Sequence, residues 1–453
     1  MVKDLTTGNP AKRIVLFTIP MMLGNLFQQL YNMADTLIVG RTIGVQALAA
    51  VGCTGSLTLL IIGFVQGMTY GFSIITAQYF GAKDAAGVRR SFATGVVLSV
   101  GIAVLLTLVS VPMTMHILQW MRTPQEIIQN AHQYLSIIFS GSVALVLFNL
   151  LFNMIRALGD SKTPLLFLGI TCLLNIGLDF LFILQFHMGV AGAGLATVIS
   201  QAMSGVLCIL YIKKKLPILQ MHKQDWQITR RFVTEHLRMG LPVGFQSSII
   251  AAGSLVLQIA LNQLGAQAVA AYTAAQKIES IATLPICAFG TSIATYAAQN
   301  YGARDTERIR CGVRQCLVIA LCFAVTIGIF TILAGRPLAW VFLGNGQEDV
   351  ISLAQTYLRV NCPFYFILQA LVLYRGTLQG LGKSFVPTIA GVMELFMRIF
   401  AALVLAKAFG FPGACFANPC AWFGAFIPVV ISYYRTIREL HWHMQIGEKP
   451  ASS

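Results

Sequence analysis

Two aspartates carry the strongest chemical signal in this chain. Asp35 and Asp179 each sit inside an apolar run long enough to cross a bilayer. An ionised carboxylate at mid-membrane costs roughly 2.5–3.5 kcal/mol on insertion scales, so such a group turns toward a polar interior and marks a pathway. Asn175 stands four residues before Asp179 in Leu174-Asn175-Ile176-Gly177-Leu178-Asp179, which puts both side chains on one helix face. Gln28 and Tyr31 precede Asp35 by seven and four positions, again on one face, and Thr197 lies inside a further apolar run. Neither aspartate has a basic residue in its own run. An unpaired buried carboxylate holds a proton or ionises around a bound cation. Carboxylate, amide and hydroxyl oxygens suit a hard cation such as Na⁺, and the same acids can serve H⁺. The expectation is a cation site built from two helices.

Two further acids fall in apolar runs, in different surroundings. Glu394 has Arg398 four positions later, the favourable orientation for a helical ion pair, and is expected to be structural. Glu279 has Lys277 two positions away, and residues two apart on a helix do not face each other, so its partner is open. Lys277, Glu279, Glu394 and Arg398 are therefore possible secondary charged sites.

The elements that must position these groups follow from composition. Of 453 residues, 57% are hydrophobic and only 10% charged, and the mean hydropathy is +0.74. Soluble domains carry about 25% charged residues, so this is an integral membrane protein of the all-α class. Twelve spans are expected, over about 14–40, 46–78, 91–115, 129–155, 164–186, 190–212, 235–263, 268–298, 313–333, 353–374, 386–408 and 412–434. The first follows Lys12-Arg13 without a small-residue cleavage pattern and reads as a retained helix. Most of the 31 basic residues lie in the termini and the even-to-odd loops; the opposite loops hold only Arg41, Arg122, Arg336, Arg359 and Lys407. Both termini are therefore expected in the cytoplasm. The net charge of +15 sits in short loops beside spans, so it reads as topology and contact with anionic lipid, not nucleic-acid binding.

The chain repeats itself. Ala77-Gln78-Tyr79-Phe80-Gly81-Ala82-Lys83-Asp84 returns as Ala298-Gln299-Asn300-Tyr301-Gly302-Ala303-Arg304-Asp305. Leu158-Gly159-Asp160-Ser161-Lys162-Thr163-Pro164 returns as Leu381-Gly382-Lys383-Ser384-Phe385-Val386-Pro387, and Pro20 matches Pro242. Six spans per half is even, so the repeats are parallel and related by an axis along the membrane normal. The division expected is an N-lobe over 1–212, a cytoplasmic connection over 213–234, a C-lobe over 235–434 and a cytoplasmic tail over 435–453. In the second half Leu257 and Ala402 stand where Asp35 and Asp179 stand in the first, so the fold itself does not require the acids. Pro20, Pro242 and Pro285 are candidate kinks.

Enzyme chemistry finds little support. The ten cysteines show no C-x-x-C or Cys/His cluster, which argues against disulfides and zinc. Gly382-Lys383-Ser384 lacks the first glycine of a P-loop, and no H-E-x-x-H occurs. Met33-Ala34-Asp35 and Gly177-Leu178-Asp179 do not match the contexts of intramembrane aspartyl proteases.

The chain closely resembles the multidrug and toxic compound extrusion (MATE) family, in its bacterial and archaeal branch. The resemblance rests on the repeated Ala-Gln-x-x-Gly-Ala-[Lys/Arg]-Asp, on Arg156-Ala157-Leu158-Gly159-Asp160 and on Asn175 through Asp179, and covers nearly the whole chain. It implies two V-shaped lobes of six helices around a central cavity, and a monomeric, multi-pass protein of the cell membrane. It further implies export of amphipathic, often cationic, organic compounds by alternating access, in exchange for Na⁺ or H⁺ and without a cofactor. The ion site would comprise Asp35, Asn175, Asp179 and Thr197, with Gln28 and Tyr31 alongside; the first four would be the metal ligands if the ion is Na⁺. Relatives with a C-lobe cation site carry a glutamate early in span 7, and none follows Pro242 here. The rival function is a flippase for lipid-linked precursors, which should need cations in its cavity; near the middle of the expected spans only Lys277 and Arg398 are basic.

Overall fold

The structure, a computed structural model, describes residues 4–121, 123–344 and 346–446. Arg122, residues 1–3 of the expected N-lobe and 447–453 of the expected tail lie outside the described residues. Every described element is helical, as lipid requires, because a backbone without water must satisfy its own polar groups. The first half comprises α1 (Pro10–Thr42), α2 (Val45–Gly81), α3 (Ala85–Trp120), α4 (Gln125–Ser140), α5 (Ser142–Ala157), α6 (Lys162–Phe180) and α7 (Gly189–Lys215). The second comprises α8 (Arg230–Gln263), α9 (Ala266–Ala282), α10 (Leu284–Gly302), α11 (Thr306–Leu343), α12 (Glu348–Asn361), α13 (Tyr365–Gly380), α14 (Phe385–Phe400), the short α15 (Ala406–Phe409) and α16 (Phe411–Cys415), and α17 (Ala417–Ile446). Helix α17 carries the chain well into the segment expected as a tail.

Ten helical stretches among the described residues are long and apolar enough to cross a membrane, and two more are if each of two bent pairs is one span. This accommodates the twelve expected spans. Their outer faces carry large bare side chains such as Leu173, Leu333 and Phe385, each more than 70% exposed, which suits lipid and not water.

The bent pairs have local causes. Helices α4 and α5 meet at 51° around Gly141, where any Cβ would lie 2.4 Å from the Val198 side chain of α7. Helices α9 and α10 meet at 41° around Thr283, where Pro285 cannot donate to the preceding turn. Here one of the three candidate prolines does break a helix.

The internal repeat extends to backbone geometry. Lys83 and Arg304 both adopt φ 58°, a left-handed conformation that side chains rarely take. The next residue caps a helix in each case: Asp84 accepts from Gly87 N at 2.8 Å and Asp305 from Arg308 N at 2.9 Å. Gly159 and Gly382 likewise share a positive φ, 82° and 80°. Helix α6 ends in a π turn over Leu181–Gln185, and α14 in another over Ala401–Leu405.

Two compact units result, and they are not the two sequence halves. One contains Leu23–Gly244; the other contains Leu5–Met22 and the described residues from Phe245 onward. Helices α1 and α8 therefore change unit just past Pro20 and Pro242. The first unit holds clusters around Phe72, Val146 and Leu150 and around Val39, Leu135 and Ala193; the second has one long core running from Leu257 through Tyr296, Tyr357 and Leu378 to Trp422. Within the connection, short 3₁₀ turns over Pro217–Leu219 and Lys223–Trp226 pack on α3, where Arg89 pairs with Asp225 at 3.1 Å.

Candidate functional site

The first unit brings most of the expected ion-site residues together. Helix α1 supplies Asp35, 9% exposed, and α6 supplies Asn175 and Asp179, both 0% exposed. The carboxyl groups of Asp35 and Asp179 lie within hydrogen-bonding reach of each other. Among the described residues no donor serves Asp35 Oδ1 or either oxygen of Asp179, and both polar atoms of the Asn175 amide lack partners as well. Buried polar groups are nearly always satisfied, so five orphaned atoms in one place need an explanation. Two carboxylates that face each other repel when both are ionised; a shared proton or a cation between them removes the repulsion.

Tyr31 and Thr197 complete one wall, the tyrosine hydroxyl donating to Thr197 Oγ1 at 3.3 Å across α1 and α7. Both side chains are half-buried. Gln28 is half-buried too, but no hydrogen bond joins it to the cluster, and seven residues of helix place it about 10 Å from Asp35 along the axis. Sequence reasoning missed Tyr134 on α4, which is 8% exposed and within electrostatic reach of Asp35, Asp179 and Tyr31. A tyrosine on an amphipathic helix gives no signal of its own. Ile38, Ile138 and Ile183 join Tyr134 in one buried apolar cluster of the first unit. Among the described residues no group of three or more His, Cys, Asp or Glu converges on a metal-sized site. The donor set is thus two acids plus amide and hydroxyl oxygens, which fits a hard monovalent cation or a proton and not a thiolate- or imidazole-bound metal.

The second unit treats its acids differently. Glu394 is gripped by two arginines: Arg398 at 3.5 Å, as its spacing implied, and Arg375, which comes closer still. The expected end of the tenth span at 374 left Arg375 outside the membrane; the structure places it inside α13, against α14. Glu279 receives the Tyr357 hydroxyl at 2.5 Å. Tyr357 in turn accepts from Asn418 Nδ2 at 2.9 Å, and Asn418 Oδ1 accepts from Arg398 at 3.3 Å. One connected chain thus links Glu279 to Glu394. Lys277 is exposed and takes no part in it.

Comparison with known proteins bears on the repeat and on the fold. The MatE family model matches twice, over residues 20–181 and 242–404, one match in each repeat. The chain is 30% identical over 383 residues to the probable multidrug resistance protein YpnP of Bacillus subtilis, covering 83% of this chain and 85% of that one. It is 27% identical over 411 residues to the probable multidrug resistance protein NorM of Thermotoga maritima, covering 88% and 86%. A solved structure described as MATE in complex with MaL6 superposes with a TM-score of 0.90 at 24% identity, covering 97% of this chain and 98% of that one. The fold is accordingly the twelve-helix, two-lobe fold.

Proposed function

The chain belongs to the MatE family, a group of membrane transport proteins, and from that premise we propose that it is a cation-coupled efflux antiporter. It exports amphipathic or cationic organic compounds across the cell membrane by alternating access, as a monomer with both termini in the cytoplasm. Na⁺ or H⁺ enters the first unit and is held by Asp35, Asn175, Asp179 and Thr197, with Tyr31 and Gln28 alongside.

The observation that carries this reading is the pair of buried carboxyls facing each other, three of whose four oxygens have no donor among the described residues. Occupation by a cation or proton stabilises α1 against α6, and its release lets the two carboxylates repel; a ligand can bias a conformational equilibrium only through such a difference. The relatives named as multidrug resistance proteins supply the substrate class. A flippase fits less well, because Arg375 and Arg398 are both committed to Glu394 and Lys277 is exposed. An aspartyl protease falls outside a family of transport proteins.

The test is drug efflux from membrane vesicles under separately imposed Na⁺ and pH gradients, for the natural chain and for Asp35→Asn and Asp179→Asn. Gradient-driven efflux in the natural chain and its loss in both variants are expected. Undiminished coupled efflux in the variants would sink the proposed ion site.

A further inference from the structure

The second unit contains a cavity that the transport reading leaves without a role. Its volume is about 1100 Å³, and its walls come from the first three turns of α11, the last turns of α17, and α13. Helix periodicity aligns Glu307, Arg310, Arg314 and Val318 on one face of α11, and Tyr434, Arg438 and His441 on one face of α17. Glu307 pairs with Arg310 at 3.2 Å and with His441 at 3.5 Å. Arg314 and Arg438 have no carboxylate partner among the described residues, the one acid lining the cavity there, Glu307, being paired with Arg310 and His441. Gln315 is already engaged, accepting from Ala11 N at 3.2 Å.

The polarity of the cavity is graded. The arginines stand at the helix ends where α11 begins and α17 finishes. One turn further in, Leu317 and Val318 replace them on α11, and Tyr374, Tyr433 and Tyr434 form a ring cluster with centroids 4.7–6.3 Å apart. Val318 is 57% exposed on a helix otherwise clad for lipid. A ligand matching this gradient has an anionic, phosphate-like head and an apolar tail directed along α11. Guanidinium groups bind phosphate with paired donors, and basic pockets between membrane helices take lipid headgroups.

We infer that this cavity is a binding site for an anionic phospholipid, with Arg314 and Arg438 holding the phosphate. The basic bias of the loops assigns this end of the helices to the cytoplasmic leaflet. The inference does not depend on the ion site, so failure of one leaves the other standing.

The experiment uses the full chain purified in detergent, titrated with phosphatidylglycerol, phosphatidylcholine or soluble glycerol 3-phosphate. Retained lipid is read by native mass spectrometry and stabilisation by thermal unfolding. Phosphatidylglycerol should be retained and should stabilise; phosphatidylcholine should do neither. The double variant Arg314→Gln/Arg438→Gln should lose about tenfold in apparent affinity, while Arg435→Gln, an exposed arginine of α17 outside the cavity, should match the natural chain. Equal retention of both lipids, or undiminished retention in the double variant, would overturn the assignment. A response to glycerol 3-phosphate as strong as that to phosphatidylglycerol would also overturn it, assigning the site to free phosphate esters.

Discussion

The two units handle buried charge in opposite ways. In the second, each buried acid has at least one partner: Glu394 lies between two arginines, and Glu279 receives on one oxygen a tyrosine hydroxyl that is itself held by Asn418, its other oxygen having no partner among the described residues. In the first, Asp35 and Asp179 have been given each other, and the neighbouring Asn175 amide faces no one. A fully paired acid such as Glu394 costs energy to disturb and serves as a structural tie. An unsaturated pair is stable only with something added, which suits a ligand that must come and go. Burial alone does not separate the two cases; the supply of donors does.

This contrast can be broken by experiment. Asp179→Asn should abolish ion-coupled transport and leave thermal stability unchanged or raised, because it removes a repulsion and no hydrogen bond. A large fall in the unfolding midpoint would make Asp179 a structural residue. Glu394→Gln should do the reverse, destabilising by about 3–5 kcal/mol as two buried arginines lose their counter-charge; unfolding in detergent, followed by circular dichroism, measures it. An unaltered unfolding curve would remove the distinction between the units.

Smaller effects sharpen it. Asp160, in the loop between α5 and α6, is an acid of the first unit that does have donors. It accepts from the amides of Lys162 and Thr163, from Thr163 Oγ1 at 2.7 Å and from the Tyr211 hydroxyl at 2.7 Å. Burial pushes this carboxyl up, but the hydroxyls of Tyr211 and Thr163 and the Thr163 amide outweigh it and hold it below the usual Asp value. A depressed folded value gives stability that is full above about pH 4 and is lost as pH falls through that lower value. Asp160→Asn should therefore cost about 1–3 kcal/mol near neutral pH, with the two unfolding curves converging in acid. A constant gap at all pH values would refute the ionised role. Tyr357→Phe, which frees one oxygen of Glu279, should cost about 1–3 kcal/mol in the same assay without altering coupling. Thr197→Ala should have the least effect, weakening ion dependence by roughly the worth of one hydrogen bond, about 0.5–1.5 kcal/mol, visible as a shift in the half-saturating ion concentration.

Much of this was legible in the chain because lipid is a strict solvent. An acid inside an apolar run stands out at once, and the repeat exposed which acids the scaffold does without. Helical spacing also found the Glu394–Arg398 pair. It could not find Arg375 or Tyr357, since these reach their acids from other helices and contacts between helices leave no periodic trace. Tyr134 was hidden for the same reason. The boundaries of the compact units were only partly legible: α1 and α8 are continuous in hydropathy, and Pro20 and Pro242, just before each boundary, mark a candidate kink without saying that the helix changes its neighbours there.

The paired π turns bear on the repeat. Both halves end the corresponding helix in a π turn, after Phe180 and after Phe400, so the irregularity is a feature the two copies share. The charges that precede the two turns are not shared: one helix carries Asn175 and Asp179, the other Glu394 and Arg398. Polar chemistry thus differs on helices of shared shape, one copy presenting an amide and a carboxyl without donors and the other an ion pair to Arg398.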